Sequence, residues 1–109
     1  MAASITSPTW IMAHQQTDGR GRRGRAWLTP KGNLTATLVF EPHCTPAQAA
    51  QRSFLASNAL YNALAIYVPS EKISLKWPND VLLSGGKVAG ILLESAGHHG
   101  AVSYLSIGI

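Results

Sequence analysis

Residues 33–40 alternate in character. Leu34, Ala36, Leu38 and Phe40 fall on one side, and Thr35, Thr37 and Val39 on the other. A period of two over a stretch rich in β-formers predicts a strand. Before it, Trp10-Ile11-Met12-Ala13 is a short apolar run of the length of one buried strand, preceded by a loose lead-in over residues 1–9. Further on, residues 73–77 (ISLKW) alternate as a strand that Pro78-Asn79-Asp80 stops. Residues 81–83 and 87–94 flank Ser84-Gly85-Gly86, a hairpin turn by residue type. His98-His99-Gly100 makes a second turn, leading into a last strand over residues 102–107.

One segment follows a different period. Thr45 stands as an N-cap, Pro46 at the first helical position, and Gln48 closes a capping box. The spacing predicts a helix over residues 46–67, with Ala50, Phe54, Ser57, Tyr61 and Leu64 along its inner stripe and Leu60 and Ala65 beside it. Pro69 and Ser70 end it. The order of strands and helix predicts an α+β fold: a mixed, largely antiparallel sheet packed with one long helix.

Residues 15–32 follow neither period, being punctuated by Gly, Arg and Pro. Charge explains why that matters. The chain carries 9 Lys and Arg against 5 Asp and Glu, a net charge of +4. Arg20, Arg22, Arg23 and Arg25 lie within this stretch, while Lys31, Arg52, Lys72, Lys76 and Lys87 balance Asp18, Glu41, Glu71, Asp80 and Glu94. The whole net charge therefore has one address. That argues against a surface coated for non-specific nucleic-acid binding and for a local anion site.

The remaining bounds are broad. At 109 residues, 46% hydrophobic and 13% charged, one globular domain is expected. No apolar run is long enough for a membrane span, and the N-terminus has no secretory pattern. Cys44 is the sole cysteine, so no intrachain disulfide forms and a cytoplasmic location is expected. Cys44 itself, in a turn-like segment, is expected to be chemically idle.

Three segments carry candidate chemistry. In GRGRRGR (residues 19–25), glycine lets the backbone approach a ligand, and arginine supplies planar donors matched to phosphate oxygens. The loop reads as an anionic-ligand flap, a nucleic-acid tract or an inert solvated loop. It is expected to be mobile. Lys76-Trp77-Pro78-Asn79-Asp80 puts a cation, an indole and polar acceptors at a strand end, where ligand sites are common. Equally, Trp77 is core there and Asn79-Asp80 simply a turn. Lys87 opens an apolar strand, as a site cation or as an edge lysine, and Gly90 within it marks a bulge or a close approach. His98 and His99 have no third ligand at metal spacing, and no metal-ligating residues are assigned.

QQTDGRGRRGRAW (residues 15–27), SLKWPNDVLL (residues 74–83) and GGKVAGILLE (residues 85–94), in this order and spacing, resemble the catalytic domain of the biotin protein ligase family. The resemblance implies a class II synthetase-like core that uses ATP and Mg2+ to turn biotin into biotinyl-5′-adenylate. Biotin then passes to a lysine of a biotin carboxyl carrier protein. Lys87 and Arg22 would be catalytic, Lys87 bridging the biotin carboxylate and the α-phosphate. Gln16, Gly19, Arg20, Arg22, Arg23, Gly24, Arg25, Trp27, Lys87, Gly90 and Ile91 would bind substrate. Arg22, Arg25, Trp27, Asn79 and Asp80 would bind the nucleotide.

Against the family's pattern, residues 1–109 are expected to form a single, incomplete catalytic domain. The helix-turn-helix domain, and with it a DNA-binding role, and the C-terminal β-barrel are expected to be missing. Two alternatives stand beside an active ligase core: an inactive, fold-competent fragment that only binds ligands or partners, and a Gly/Arg-loop nucleic-acid binder. Sheet edges left uncovered would make the chain a homo-oligomer.

Overall fold

The computed structural model describes residues 5–109. Of the expected lead-in, residues 1–4 lie outside the described residues, residues 5–8 carry no regular structure, and Thr9 already belongs to the first strand. The strands are β1 (Thr9–Met12), β2 (Ala36–Phe40), β3 (Ile73–Lys76), β4 (Asp80–Leu83), β5 (Gly86–Gly90), β6 (Leu92–His98) and β7 (Ala101–Gly108). Two helices, α1 (Pro46–Ala50) and α2 (Arg52–Leu64), fall between β2 and β3. The fold is α+β, as the alternation of periods predicts. No helix among the described residues is long and apolar enough to cross a membrane.

The strands divide into two sheets where one was expected. One has the order β1-β2-β7-β6 and the other β3-β4-β5, and every registered pair is antiparallel. The division falls inside the apolar run that reads as one strand over residues 87–94. Ile91 leaves the ladder there, with β5 ending on one side and β6 beginning on the other. Asn79 holds it from both directions: the Ile91 N–H donates to the Asn79 carbonyl at 2.9 Å, and Asn79 Nδ2 donates to the Ile91 carbonyl at 2.7 Å. Both hairpin turns form where residue type places them. Ser84 and Gly85, at φ 50° and 83°, give the left-handed pair that a two-residue hairpin needs.

The long helix is likewise broken. The Phe54 N–H reaches back only three positions, to the Gln51 carbonyl at 3.1 Å, and α2 ends at Leu64 rather than near residue 67. The reason is the sheet division: α1 packs against β6 and β7, whereas α2 packs mainly against β3 and β4. A straight helix cannot follow both. The break also shifts the inner stripe: Ala49 is buried where Ala50 was expected and Phe54, expected inside, is 40% exposed, while Ser57 is buried and Tyr61 and Leu64 are half-buried along the expected line. The capping box forms with both reciprocal bonds.

Strand pleat sorts the four-stranded sheet into two faces. Phe40 pairs with Leu105 and Leu93 with Ile107, and these four, with Ala49, Cys44 and Val102, form the core beneath α1. The opposite face carries Thr37, Leu92, Glu94, Ser106 and Gly108 in matching register. Two apolar segments differ from expectation. β1 is an edge strand, so Trp10 and Met12 are exposed, where the apolar run predicts a buried strand. Leu34 lies outside β2 and is exposed as well.

Replacing Thr45 with Ala removes the cap that starts α1 and is expected to cost about 1 kcal/mol. A lower urea midpoint with an unchanged m-value would show this; an unchanged midpoint would mean the cap contributes nothing.

Candidate functional site

The Gly/Arg stretch is folded into a hairpin. The Trp27 N–H donates to the Gly19 carbonyl at 2.9 Å, Arg20 and Ala26 form an antiparallel bridge, and the Gly21 N–H donates to the Arg25 carbonyl at 2.7 Å. A 3₁₀ turn, Arg22–Gly24, closes the tip, with Arg23 and Gly24 at positive φ. Gly19 is required by space: a Cβ there would stand 2.5 Å from the Trp27 carbonyl oxygen and 3.1 Å from Gln16 Oε1. The first of these clashes is with backbone, so no side-chain rotation relieves it and the rung itself must shift.

This hairpin stands against the hydroxyl-bearing face of the four-stranded sheet and the β4 and β5 strands of the smaller one. Between them is a cavity of about 350 Å³. Arg20, Arg22, Arg25 and Lys87 give it a cationic side. Thr35, Thr37, Ser106 and Gly108 give it a floor that also carries Glu94, paired with Ser106, and Asp80 supplies its other acid. Within the floor, Thr35 Oγ1 is buried with no hydrogen-bond partner, and it is the one such side-chain atom found among the described residues.

Lys87 is held on two sides. Its Nζ lies 3.0 Å from Asp80 Oδ1 and 4.8 Å from the centroid of the Trp27 ring. Both carboxylate and indole favour an ammonium at that point, and a lysine stem packs while its head stays at the site. Gly90 makes the arrangement possible. A Cβ there would come within 3.0 Å of Trp27 Cη2 and 3.1 Å of Lys87 Cε, so the close approach anticipated at Gly90 is with these two side chains.

Of the residues singled out in the sequence, Gln16, Arg20, Arg22, Arg25, Trp27, Asn79, Asp80, Lys87, Gly90 and Ile91 line this one cavity. Gly19, Arg23 and Gly24 do not. Gly19 shapes the hairpin instead, and Arg23 occupies its tip. Asn79 spends its side-chain amide on Ile91, and Asp80 spends one oxygen on Lys87. Trp77 is neither core nor cavity: it is 77% exposed and stacks on Phe54 with ring centroids 6.1 Å apart. Cys44 is a free cysteine packed beside the core under α1.

Sequence reasoning missed the floor. The sequence pattern places Thr35 and Thr37 on the second side of a strand and points to no site role for Ser106, Gly108, Leu92 or Glu94. The one signal is that hydroxyls at alternate positions mark a face other than the core, whether it is covered or open to water. Nothing local, however, reveals which element covers it.

The model of the biotin/lipoate A/B protein ligase family matches residues 2–109. A biotin–[acetyl-CoA-carboxylase] ligase from Paracoccus denitrificans is 49% identical over 110 residues, covering 100% of this chain and 46% of that protein. The corresponding Mycobacterium tuberculosis ligase is 42% identical over 90 residues, covering 79% of this chain and 34% of the relative. Among solved structures, biotin protein ligase from Aquifex aeolicus in complex with biotin and ATP superposes with a TM-score of 0.67 at 34% identity, over 97% of this chain and 44% of that one. The chain thus spans less than half the length of each of these relatives.

Gly19→Ala is expected to open the hairpin at its first rung. Amide exchange at Trp27 and Gly21 should accelerate at least about tenfold, equivalent to about 1.4 kcal/mol. Unchanged protection at both amides would show that the rungs do not hold the loop.

Proposed function

The chain belongs to the biotin/lipoate A/B protein ligase family, and on that premise we propose that its cavity binds biotin and ATP, joins them as biotinyl-5′-adenylate, and presents the acyl group to a lysine of a biotin carboxyl carrier protein. The observation that carries this reading is the convergence of Arg20, Arg22, Arg25 and Lys87 on one cavity whose floor is hydroxyl-bearing and carries one acid, Glu94. An acyl-adenylate asks for the same two features, cations at its one anionic group, the phosphate that joins its halves, and uncharged polar partners along the rest.

The chemistry asks for little beyond charge and position. A carboxylate oxygen of biotin attacks the α-phosphorus of ATP, an O–P bond forms, and the bond to pyrophosphate breaks. Two anions must meet for this. At about 4 Å and an effective dielectric of 20, each pair of unit charges interacts by about 4 kcal/mol, so repulsion is the main barrier to approach. Lys87, set between Asp80 and Trp27, would bridge the carboxylate and the α-phosphate, and Arg22 would meet the charge that develops on the phosphate. Arg20 and Arg25 would hold the flanking anionic groups, and Trp27 the adenine. Gly90 and Ile91 would lie against biotin, with Gln16 beside it. Asn79 and Asp80 would border the nucleotide. In the second step the carrier's lysine amine attacks the acyl carbon and AMP leaves, so no nucleophile from this chain is needed.

Mg2+ fits this site as a cation carried in on the nucleotide. Such an ion needs one or two carboxylates plus phosphate oxygens, and Asp80 and Glu94 are the acids on the cavity wall. The described residues hold no cluster of three or more His, Cys, Asp or Glu side chains placed for a metal, so a dedicated protein cage is not what they would offer. When bound, the ion would neutralise charge on the leaving pyrophosphate.

A concave site also weighs against the nucleic-acid reading, because a backbone-tracking groove needs its arginines spread along a surface. The free Cys44 suits a reducing cytoplasm. β1 is an open edge with Trp10 and Met12 exposed, and it would pair with a second copy of the chain. Light scattering is expected to show a dimer or larger species; a stable monomer would remove that part of the reading.

Calorimetry with biotin, then biotin with ATP, coupled to pyrophosphate release, tests the whole. Biotin-dependent release is expected, with Lys87→Met lowering its rate by about 100-fold or more. Binding without release would leave a ligand-binding module, and absence of binding would overturn the proposal.

A further inference from the structure

The hairpin has an inverted neighbour pair at its base. Leu28 is 86% exposed, whereas the polar Thr29 beside it is only 7% exposed. A buried hydroxyl needs a partner, and Thr29 has one: its Oγ1 donates to Gln16 Oε1 at 2.8 Å, across thirteen positions of chain. Gln16 lines the cavity and Thr29 does not. No other side-chain hydrogen bond of Gln16 occurs among the described residues. Its amide is bounded on another side by the Gly19 backbone, where even a Cβ would approach Oε1 to 3.1 Å.

An amide group is ambivalent, with an acceptor on one branch and two donors on the other. Left free, it would turn about its last torsion and offer either. We propose that Thr29 is a positioning residue for the acyl substrate. By taking the Gln16 carbonyl, it leaves the Nε2 donors as the branch free for a buried ligand group. This deepens the reading that Gln16 contacts biotin and rests on it. The polar head of biotin is the part concerned, since the anionic end belongs with the arginines and Lys87.

Four variants test it: Thr29→Val, which keeps shape and loses the hydroxyl, Thr29→Ser, Gln16→Ala, and Thr29→Val combined with Gln16→Ala. Thr29→Val is expected to raise the Kd and KM for biotin about fivefold to tenfold, the size of one lost hydrogen bond, with kcat and the KM for ATP within about twofold. Thr29→Ser should restore biotin affinity. In the Gln16→Ala background, Thr29→Val should add nothing, because the residue acts through Gln16.

Equal losses with and without Gln16, or parallel losses for biotin and ATP, would show that Thr29 only braces the hairpin and would overturn the proposal. If Gln16→Ala weakens biotin binding and Thr29→Val does not, the Thr29 assignment falls alone. If Gln16→Ala leaves biotin binding unchanged, the contact between Gln16 and biotin falls, and the Thr29 assignment with it.

Discussion

Ile91 sits where the chain passes from one sheet into the other, and the paired hydrogen bonds from Asn79 keep it there. Without that clasp, β5 and β6 would be free to continue as one strand, and the two sheets would merge. The cavity exists because they do not. Its cationic and indole contributors, Lys87 and Trp27, come from the smaller sheet and the hairpin, and its hydroxyl floor comes from the larger sheet. The helix break at Gln51 is the same constraint seen from the covering layer, since α1 and α2 follow different sheets. A pair of hydrogen bonds at a buried residue, 2% exposed, thus separates two surfaces that must face each other.

The electrostatics follow from this arrangement. Nothing about +4 net charge requires a binding site, and four arginines in a loop open to water would be screened within about 10 Å. Placed around a concavity, three of them share a small volume with Lys87, and Asp80 is near enough to Lys87 to fix where its ammonium stands. Asp80 offsets part of the attraction that Lys87 has for anions. In return, the side chain keeps one position in place of several, which favours chemistry that depends on alignment over mere capture.

What the sequence made legible was the local grammar. The capping box at Thr45 and Gln48, the turn at Ser84-Gly85 and the alternation around Thr37 all depend on neighbours within a few positions, and all three appear in the structure. The glycines were legible as close approaches but not in their partners: Gly90 meets Trp27 and Lys87, and Gly19 meets Trp27 and Gln16, across the fold. Two readings failed for a related reason. Residues 87–94 read as one unbroken apolar run and residues 46–67 as one helical stripe, and only the packing of distant elements shows where each must bend. The floor of the cavity was hidden in the same way, because a threonine facing water and a threonine under a hairpin have the same local pattern.

The rungs between Gly19 and Trp27 give the arginine hairpin a reading frame. Arg20, Arg22 and Arg25 border the cavity and Arg23 does not, a sorting set by how many residues separate the rungs from the tip. Composition alone would treat the arginines as interchangeable. Counting from the rungs, they are not: a single inserted or deleted residue changes which guanidinium groups point inward, although the loop keeps every charge it had. Length, more than arginine content, is therefore the property by which such a loop should be compared between chains.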